Sequence, residues 1–276
     1  MSLSPSDDAG HQRLSPVGAR HDGAPAGAVA AVVKAADVLH SFTALSPVLS
    51  LRQLSARTGI PRSTVHGLCQ ALESAGLLEI APGRGYRLGP ALVELGGQVI
   101  DRIGLVDAAE GVLERVPRRD GTEAHLGQLV DGWIVYLDRA TGIIRAPMNN
   151  RVGLRVPAVL TGCGRAALFL LDPAEARARV ERAGRSEPSR ALRAGALAEL
   201  EAQLRQGRER GYLISSSFQP GRLSVAAPVT DRSGSPIGAV SIAGPVELFP
   251  RAYLEATAVE VVSAARRIGE RLPTRR

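Results

Sequence analysis

The 276-residue chain has only two cysteines, Cys69 and Cys163, far apart and without a CxxC pairing. That excludes a disulfide-stapled scaffold and a zinc ribbon, and it fits a reducing cytoplasm. No apolar run reaches the ~18 residues needed to span a bilayer, so no membrane partner is expected. The five histidines are scattered without ligand-like spacing, so neither a metal site nor a cofactor is expected. A GxSxG elbow, a P-loop, a GxGxxG opening a helix and a metal-binding His pair are all missing, which argues against an enzyme. Lysine is almost absent too: Lys34 is the only one, and every other basic residue is arginine. The first 28 residues are rich in Ser, Gly, Pro and Ala and lack the apolar core of a secretory signal. Residues 1–27 are expected to form a disordered tail.

What is present suffices for folding. Hydrophobic residues make up 45% and charged residues 22%, and the length is about two domains' worth. The net charge of +7 invites a nucleic-acid reading, but its distribution weakens that inference. Residues 25–104 hold seven basic against five acidic side chains, leaving +2, whereas 25 against 19 leave +6 beyond residue 104. Local pattern must therefore carry the functional argument.

Between residues 28 and 89 the pattern predicts three short helices and a hairpin. In the first, Val32, Ala35, Ala36, Leu39 and Phe42 recur at helical spacing. Ser50 and Gln53 form a capping-box pair that opens the second helix, and Gly59 closes it. The third runs roughly from Pro61 to Ser74, with Val65, Leu68, Cys69 and Leu72 as its buried stripe. Its opposite face carries Ser63, His66, Gly67 and Gln70, flanked by Arg62 and Thr64. LLEI and YRLG, joined by a Pro/Gly turn, read as a hairpin bearing Arg84 and Arg87. Helix, tight glycine turn, helix and hairpin form the outline of a winged helix-turn-helix. A helix with an apolar inner face and a small polar outer face fits a major groove about 12 Å wide, and wing arginines reach phosphates or the minor groove.

Residues 90–117 read as helical linker, with Leu92, Leu95, Val99, Ile103 and Val106 spaced along it and Gly96-Gly97 as a candidate kink. From 118 to 272 strands cluster apart from helices, which predicts an antiparallel α+β domain. GTEAHLGQLV and WIVYLDRA flank Asp131-Gly132, a strong hairpin signal. IIRAPM is expected to continue the sheet, and RVGLRVPAVLTG to be an irregular loop. Three helical stretches follow, then the strands YLISSS, RLSVAAPVTD and IGAVSIAGP, and a final amphipathic helix begins after Pro250. Thr161-Gly162-Cys163-Gly164 precedes a helix, where backbone N–H groups and the helix dipole favour an anion. Arg155, Arg165 and Arg222 are candidates for a bidentate carboxylate clamp.

IPRSTVHGLCQALESAGLL followed by YRLGPALVELGG is similar to the DNA-binding half of the IclR family of bacterial transcriptional regulators. LTGCGRAALF, GYLISSS, PGRLSVAAPVTD and GAVSIAGP repeat the landmarks of that family's ligand domain in order. The resemblance covers roughly residues 28–272. It implies a winged helix-turn-helix joined by a linker helix to a GAF-like effector domain, working as a homodimer or homotetramer on palindromic double-stranded operator DNA. Carried over by position, Arg62, Ser63, Thr64, His66, Gly67 and Gln70 face DNA. Met148, Gly162, Cys163, Arg222, Ser224 and Ser241 match the effector cavity. The family's usual effectors, small carboxylates and aromatic acids, imply an organic acid. Two departures stand out. The family usually has arginine where this chain has Gly67, which removes a phosphate or guanine contact. Acidic residues are frequent where it reads Ser215-Ser216-Ser217.

The competing readings are blander. The Pro61–Ser74 helix could be an ordinary amphipathic helix, Cys163 a packing residue or a nucleophile at a helix N-terminus, His125 a structural histidine, and Arg222 a surface arginine. Against a ligand-responsive regulator stands a GAF-like small-molecule sensor whose winged helix no longer binds DNA specifically, an alternative that Gly67 keeps open.

Overall fold

The computed structural model describes residues 29–43, 46–83, 85–116, 118–142, 152–186, 194–216 and 221–272; for 185–186 and 194–198 it describes the backbone alone. The expected tail (1–27), Arg84, Met148 and the expected strand IIRAPM lie outside the described residues. The chain divides after Leu92 into two compact units.

In the first unit, α1 (Ala30–His40), α2 (Leu51–Thr58) and α3 (Arg62–Ser74) precede the antiparallel pair β1 (Leu78–Ala81) and β2 (Gly85–Leu88). The α2 start follows directly from sequence. Ser50 accepts from the Gln53 N–H, and the Gln53 side chain accepts from the Ser50 N–H at 2.9 Å, so two helix-end donors are satisfied reciprocally. Gly59 ends α2 at φ +71°, the left-handed conformation glycine adopts most easily. Pro61 then caps α3. Val38, Phe42, Leu49, Leu54, Ile60, Val65, Cys69, Leu72, Leu78 and Tyr86 form the core. Leu49 also exchanges two backbone hydrogen bonds with Tyr86, at 2.9 and 2.8 Å, so the segment before α2 pairs with the wing. Arg57 donates to the Ser41 carbonyl and the Ser46 hydroxyl, pinning the α1–α2 connection. One expectation shifts: Val32 is exposed, and α1 packs through Ala35, Val38, Leu39 and Phe42 instead. Both sets obey helical spacing, and only the neighbouring helices select between them.

The linker stretch also differs. It forms α4 (Ala91–Ile100) and α5 (Gly104–Ala109), broken at residues 101–103 and not at Gly96-Gly97. α4 has no buried residue, and Val93, Leu95, Val99 and Ile100 are all exposed.

The second unit is built on a six-stranded, wholly antiparallel sheet in the order β5-β4-β3-β8-β7-β6. Its strands are β3 (Glu123–Val130), β4 (Trp133–Thr141), β5 (Arg155–Pro157), β6 (Leu213–Ser216), β7 (Arg222–Thr230) and β8 (Pro236–Pro245). Asp131, at φ +54°, and Gly132 make the two-residue β3–β4 turn, as the dipeptide predicts. β5 and a 3-10 turn (Ala158–Leu160) occupy the stretch expected to be an irregular loop. On one sheet face, α5 and α9 (Arg251–Arg271) bury Leu126, Val225, Ala227, Val229, Val240 and Ile242. On the other, α6 (Gly162–Leu168), α7 (Pro173–Ser186) and α8 (Ala194–Arg210) share a core with Leu129, Ile134, Tyr136, Leu213, Ala226 and Ala239. Both faces being covered, the inner strands carry little solvent-facing alternation.

Candidate functional site

The chain gathers polar side chains in two places, one in each unit. The first is the outward surface of α3. Val65, Cys69 and Leu72 point inward and Leu68 is half-buried, leaving Arg62, Ser63, Thr64, His66, Gly67 and Gln70 exposed along one side. A Cβ at Gly67 would meet nothing within 4 Å, so this glycine answers no packing demand. Arg87, on β2, is exposed but engaged: its guanidinium donates to the Glu79 carboxylate on β1 at 3.0 Å. Among the described residues of α3, Arg62 is the only cation. The Cys69 thiol beneath this surface is pushed up to about 11 by burial, which makes it an inert packing group.

The second place is the half of the sheet face beside α6. Strand alternation puts Glu123, His125 and Gly127 of β3 on that face, with Ala239, Ser241 and Ala243 of β8, Ser224 of β7 and Ser215 of β6. Pairing across strands aligns them. Ala243 lies between Glu123 and Ser224, and Ser241 between His125 and Ala226; Ser224 in turn pairs with Ser215. The Cys163 thiol donates to the Ser241 hydroxyl at 3.1 Å, and the Ser215 and Ser224 hydroxyls are 3.4 Å apart. Of the expected effector residues, Gly162, Cys163, Ser224 and Ser241 thus meet. Arg222 starts β7 on the same face, two residues from Ser224.

Gly162 has a packing role as well. A Cβ there would overlap the Ser224 hydroxyl and press on Ser215, so the glycine is what lets α6 rest on the sheet. The Gly164 N–H is taken by the Thr161 hydroxyl at 3.0 Å, an N-cap that uses one of the helix-end donors. Two arginines expected as clamps are engaged elsewhere. Arg165 donates to the Val159 carbonyl and the Gln203 side chain, each at 2.7 Å, with burial pulling its pKa below the ordinary arginine value. Arg155 stacks on the Trp133 ring, 4.0 Å from its centroid.

Sequence reading missed the centre of this face. Glu123 is 1% exposed and His125 fully buried, with the His125 Nε2 3.3 Å from a Glu123 oxygen. An Arg139 Nη lies 3.8 Å from the other Glu123 oxygen. The His125 ring sits edge-on to Tyr136, 5.5 Å between centroids. A bulge in β4, where Leu137 is the extra residue opposite Leu126–Gly127, aligns Tyr136 with Gly127 while Arg139 pairs with His125. The available signal was Glu123 and His125 sharing the inward pitch of an otherwise apolar strand. Among the described residues no group of three or more His, Cys, Asp or Glu side chains is placed to hold a metal ion.

The family models agree with this division of the chain. The bacterial transcriptional regulator IclR C-terminal model matches residues 97–270, and the IclR helix-turn-helix domain matches residues 31–81. The HTH-type transcriptional regulator XynR of Escherichia coli K12 is 32% identical over 216 residues, 78% of this chain and 85% of that protein. Among solved structures, an IclR family transcriptional regulator from Brucella abortus aligns with TM-score 0.74 at 22% identity, covering 95% of this chain and 99% of its own. An IclR homologue from Microbacterium hydrocarbonoxydans, solved with 4-hydroxybenzoate, aligns with TM-score 0.70 at 24% identity, covering 88% and 98%. An amphipathic helix-turn-helix with a wing, followed by a helix-covered antiparallel sheet and matched in both halves by the same family, places the chain in the IclR family of bacterial transcriptional regulators and outside the enzymes.

Proposed function

We propose that this regulator reads its operator through Arg62, Ser63, Thr64, His66, Gly67 and Gln70 of α3, with Arg84 and Arg87 on the wing, and answers to a small organic acid. Residues 28–89 are the DNA reader, 90–117 the linker and 118–272 the effector domain. The exposed polar side of α3 carries the reading: its six outward positions are all exposed, and five of them hold side chains that donate to or accept from base edges and phosphates. The effector site takes in Gly162, Cys163, Arg222, Ser224 and Ser241, with Met148 as the remaining position. Buried hydroxyls beside an arginine suit a carboxylate, and the Microbacterium homologue's 4-hydroxybenzoate is an acid of this kind.

The protein works in the cytoplasm as a homodimer or homotetramer on a pseudo-palindrome. The exposed Val93, Leu95, Val99 and Ile100 of α4 support self-association, since exposed apolar side chains gain by leaving water. Effector and operator binding are then coupled equilibria, each changing the affinity of the other. A mobility-shift titration with the promoter fragment beside its own gene tests the reading. Binding should exceed that to random duplex of equal length at moderate salt and fall steeply as salt rises. Arg62→Ala should weaken it without touching effector binding, and Ser224→Leu should do the reverse. Equal affinity for promoter and random duplex would instead favour a sensor that has lost specific DNA binding.

A further inference from the structure

We infer that Glu123, steadied by His125 and Arg139, is the specificity-determining group of the effector site, and that it selects acids carrying a hydroxyl. The inference rests on the effector reading of the α6 side of the sheet. Neither Glu123 oxygen accepts a hydrogen bond among the described residues, although the side chain is 1% exposed. A buried carboxylate without hydrogen bonds is costly to hold, and a ligand that donates to it removes that penalty.

The kind of donor follows from the surroundings. Arg139 and His125 stand 3.8 and 3.3 Å from the carboxylate. The guanidinium already offsets the carboxylate charge, so a neutral hydroxyl completes the shell and a second full cation is not required. The opposite pole differs. Ser224 and Ser215, with Arg222 at the start of the same strand, offer donors to an anion. Glu123 and Ser224 both pair with Ala243, from opposite sides. One strand intervenes, so their backbones stand about 10 Å apart. A molecule of hydroxybenzoate length bridges two such poles, carboxylate toward the serines and hydroxyl toward Glu123.

The test is calorimetric titration of the full-length protein with two matched pairs, 4-hydroxybenzoate against benzoate and lactate against propionate. In at least one pair the hydroxylated acid should bind tenfold or more tightly than its partner, because the analogue leaves the carboxylate unsatisfied. Glu123→Gln should shrink that ratio below threefold, the hydroxylated acid losing more affinity than its unsubstituted partner. A residue that only supports the fold would weaken both acids alike. His125→Asn, which releases Glu123 without removing it, should shrink the ratio in the same direction. Ratios below threefold in both pairs, a tenfold preference that survives Glu123→Gln, or no binding of any of the four acids would overturn the inference. Ser224→Leu separates the two readings. If it abolishes binding of both members of a pair whose ratio is flat, the effector site stands and the role of Glu123 falls. If it leaves both affinities unchanged, the site itself is misplaced.

Discussion

The outer side of α3 and the α6 side of the sheet are both polar surfaces, yet they are solvated in opposite ways. On α3 the polar groups stand in water, and Gly67 leaves open space above the helix. On the sheet Ser215, Ser224, Ser241, Glu123 and His125 are all buried, and Gly162 is pressed against Ser224. The contrast matches the two partners. Duplex DNA arrives with its own charge and hydration and needs an accessible, shape-matched face. A small-molecule effector must be distinguished from its analogues, and discrimination grows when unmatched polar groups are left dry.

The two glycines give the sharpest way to break this comparison. Gly162→Leu forces α6 off the sheet and should cost about 3 kcal/mol, lowering the melting temperature by about 6–12 °C in calorimetry. Arg62→Ala and Ser63→Ala should each weaken operator binding by about 1–3 kcal/mol in a mobility-shift titration, with melting temperature and effector affinity unchanged. Gly67→Arg, the mirror of the Gly162 change, should stabilise α3 by about 1 kcal/mol and tighten DNA binding. The salt dependence of that binding should steepen by about one unit if the new guanidinium reaches a phosphate. Glu79→Gln should have a smaller effect. It releases the half-exposed Arg87 and removes a carboxylate near the phosphates, for a gain of under about 1 kcal/mol in DNA affinity and none in stability. Smallest of all, Cys69 should resist alkylation in the native protein at pH 8, well below the value of about 11 that burial gives its thiol, and react on unfolding. Mass spectrometry of iodoacetamide-treated samples reads this directly.

The α3 surface was legible because a single helix carries it. Once Val65, Cys69 and Leu72 face inward, helical geometry fixes the exposure of the other side. The α6 side of the sheet was only partly legible. Motif order brought Gly162, Cys163, Ser224 and Ser241 into one list, and the structure brings them into one place. Glu123 and Arg139 escaped notice, and His125 was read only as a structural histidine, because their importance depends on which strands flank β3, and no local pattern encodes that. The clamp expected of Arg165 failed for a related reason: its guanidinium is satisfied by Val159 and by Gln203, 38 residues further along. The linker differed in where it breaks, at residues 101–103 and not at Gly96-Gly97, and apolar spacing alone does not say whether a stripe is buried: no α4 residue is.

The sequence by itself determined the local elements: the Ser50–Gln53 capping box, the Gly59 turn, the polar side of α3 and the Asp131–Gly132 hairpin. Each is set by backbone geometry and side-chain reach over a few residues. Tertiary structure alone decided that β8 lies between β3 and β7, and so that Glu123 and Ser224 face one another across Ala243. Strand neighbours more than a hundred residues apart are selected by how the whole sheet buries its two faces, a global condition that no short window of sequence contains.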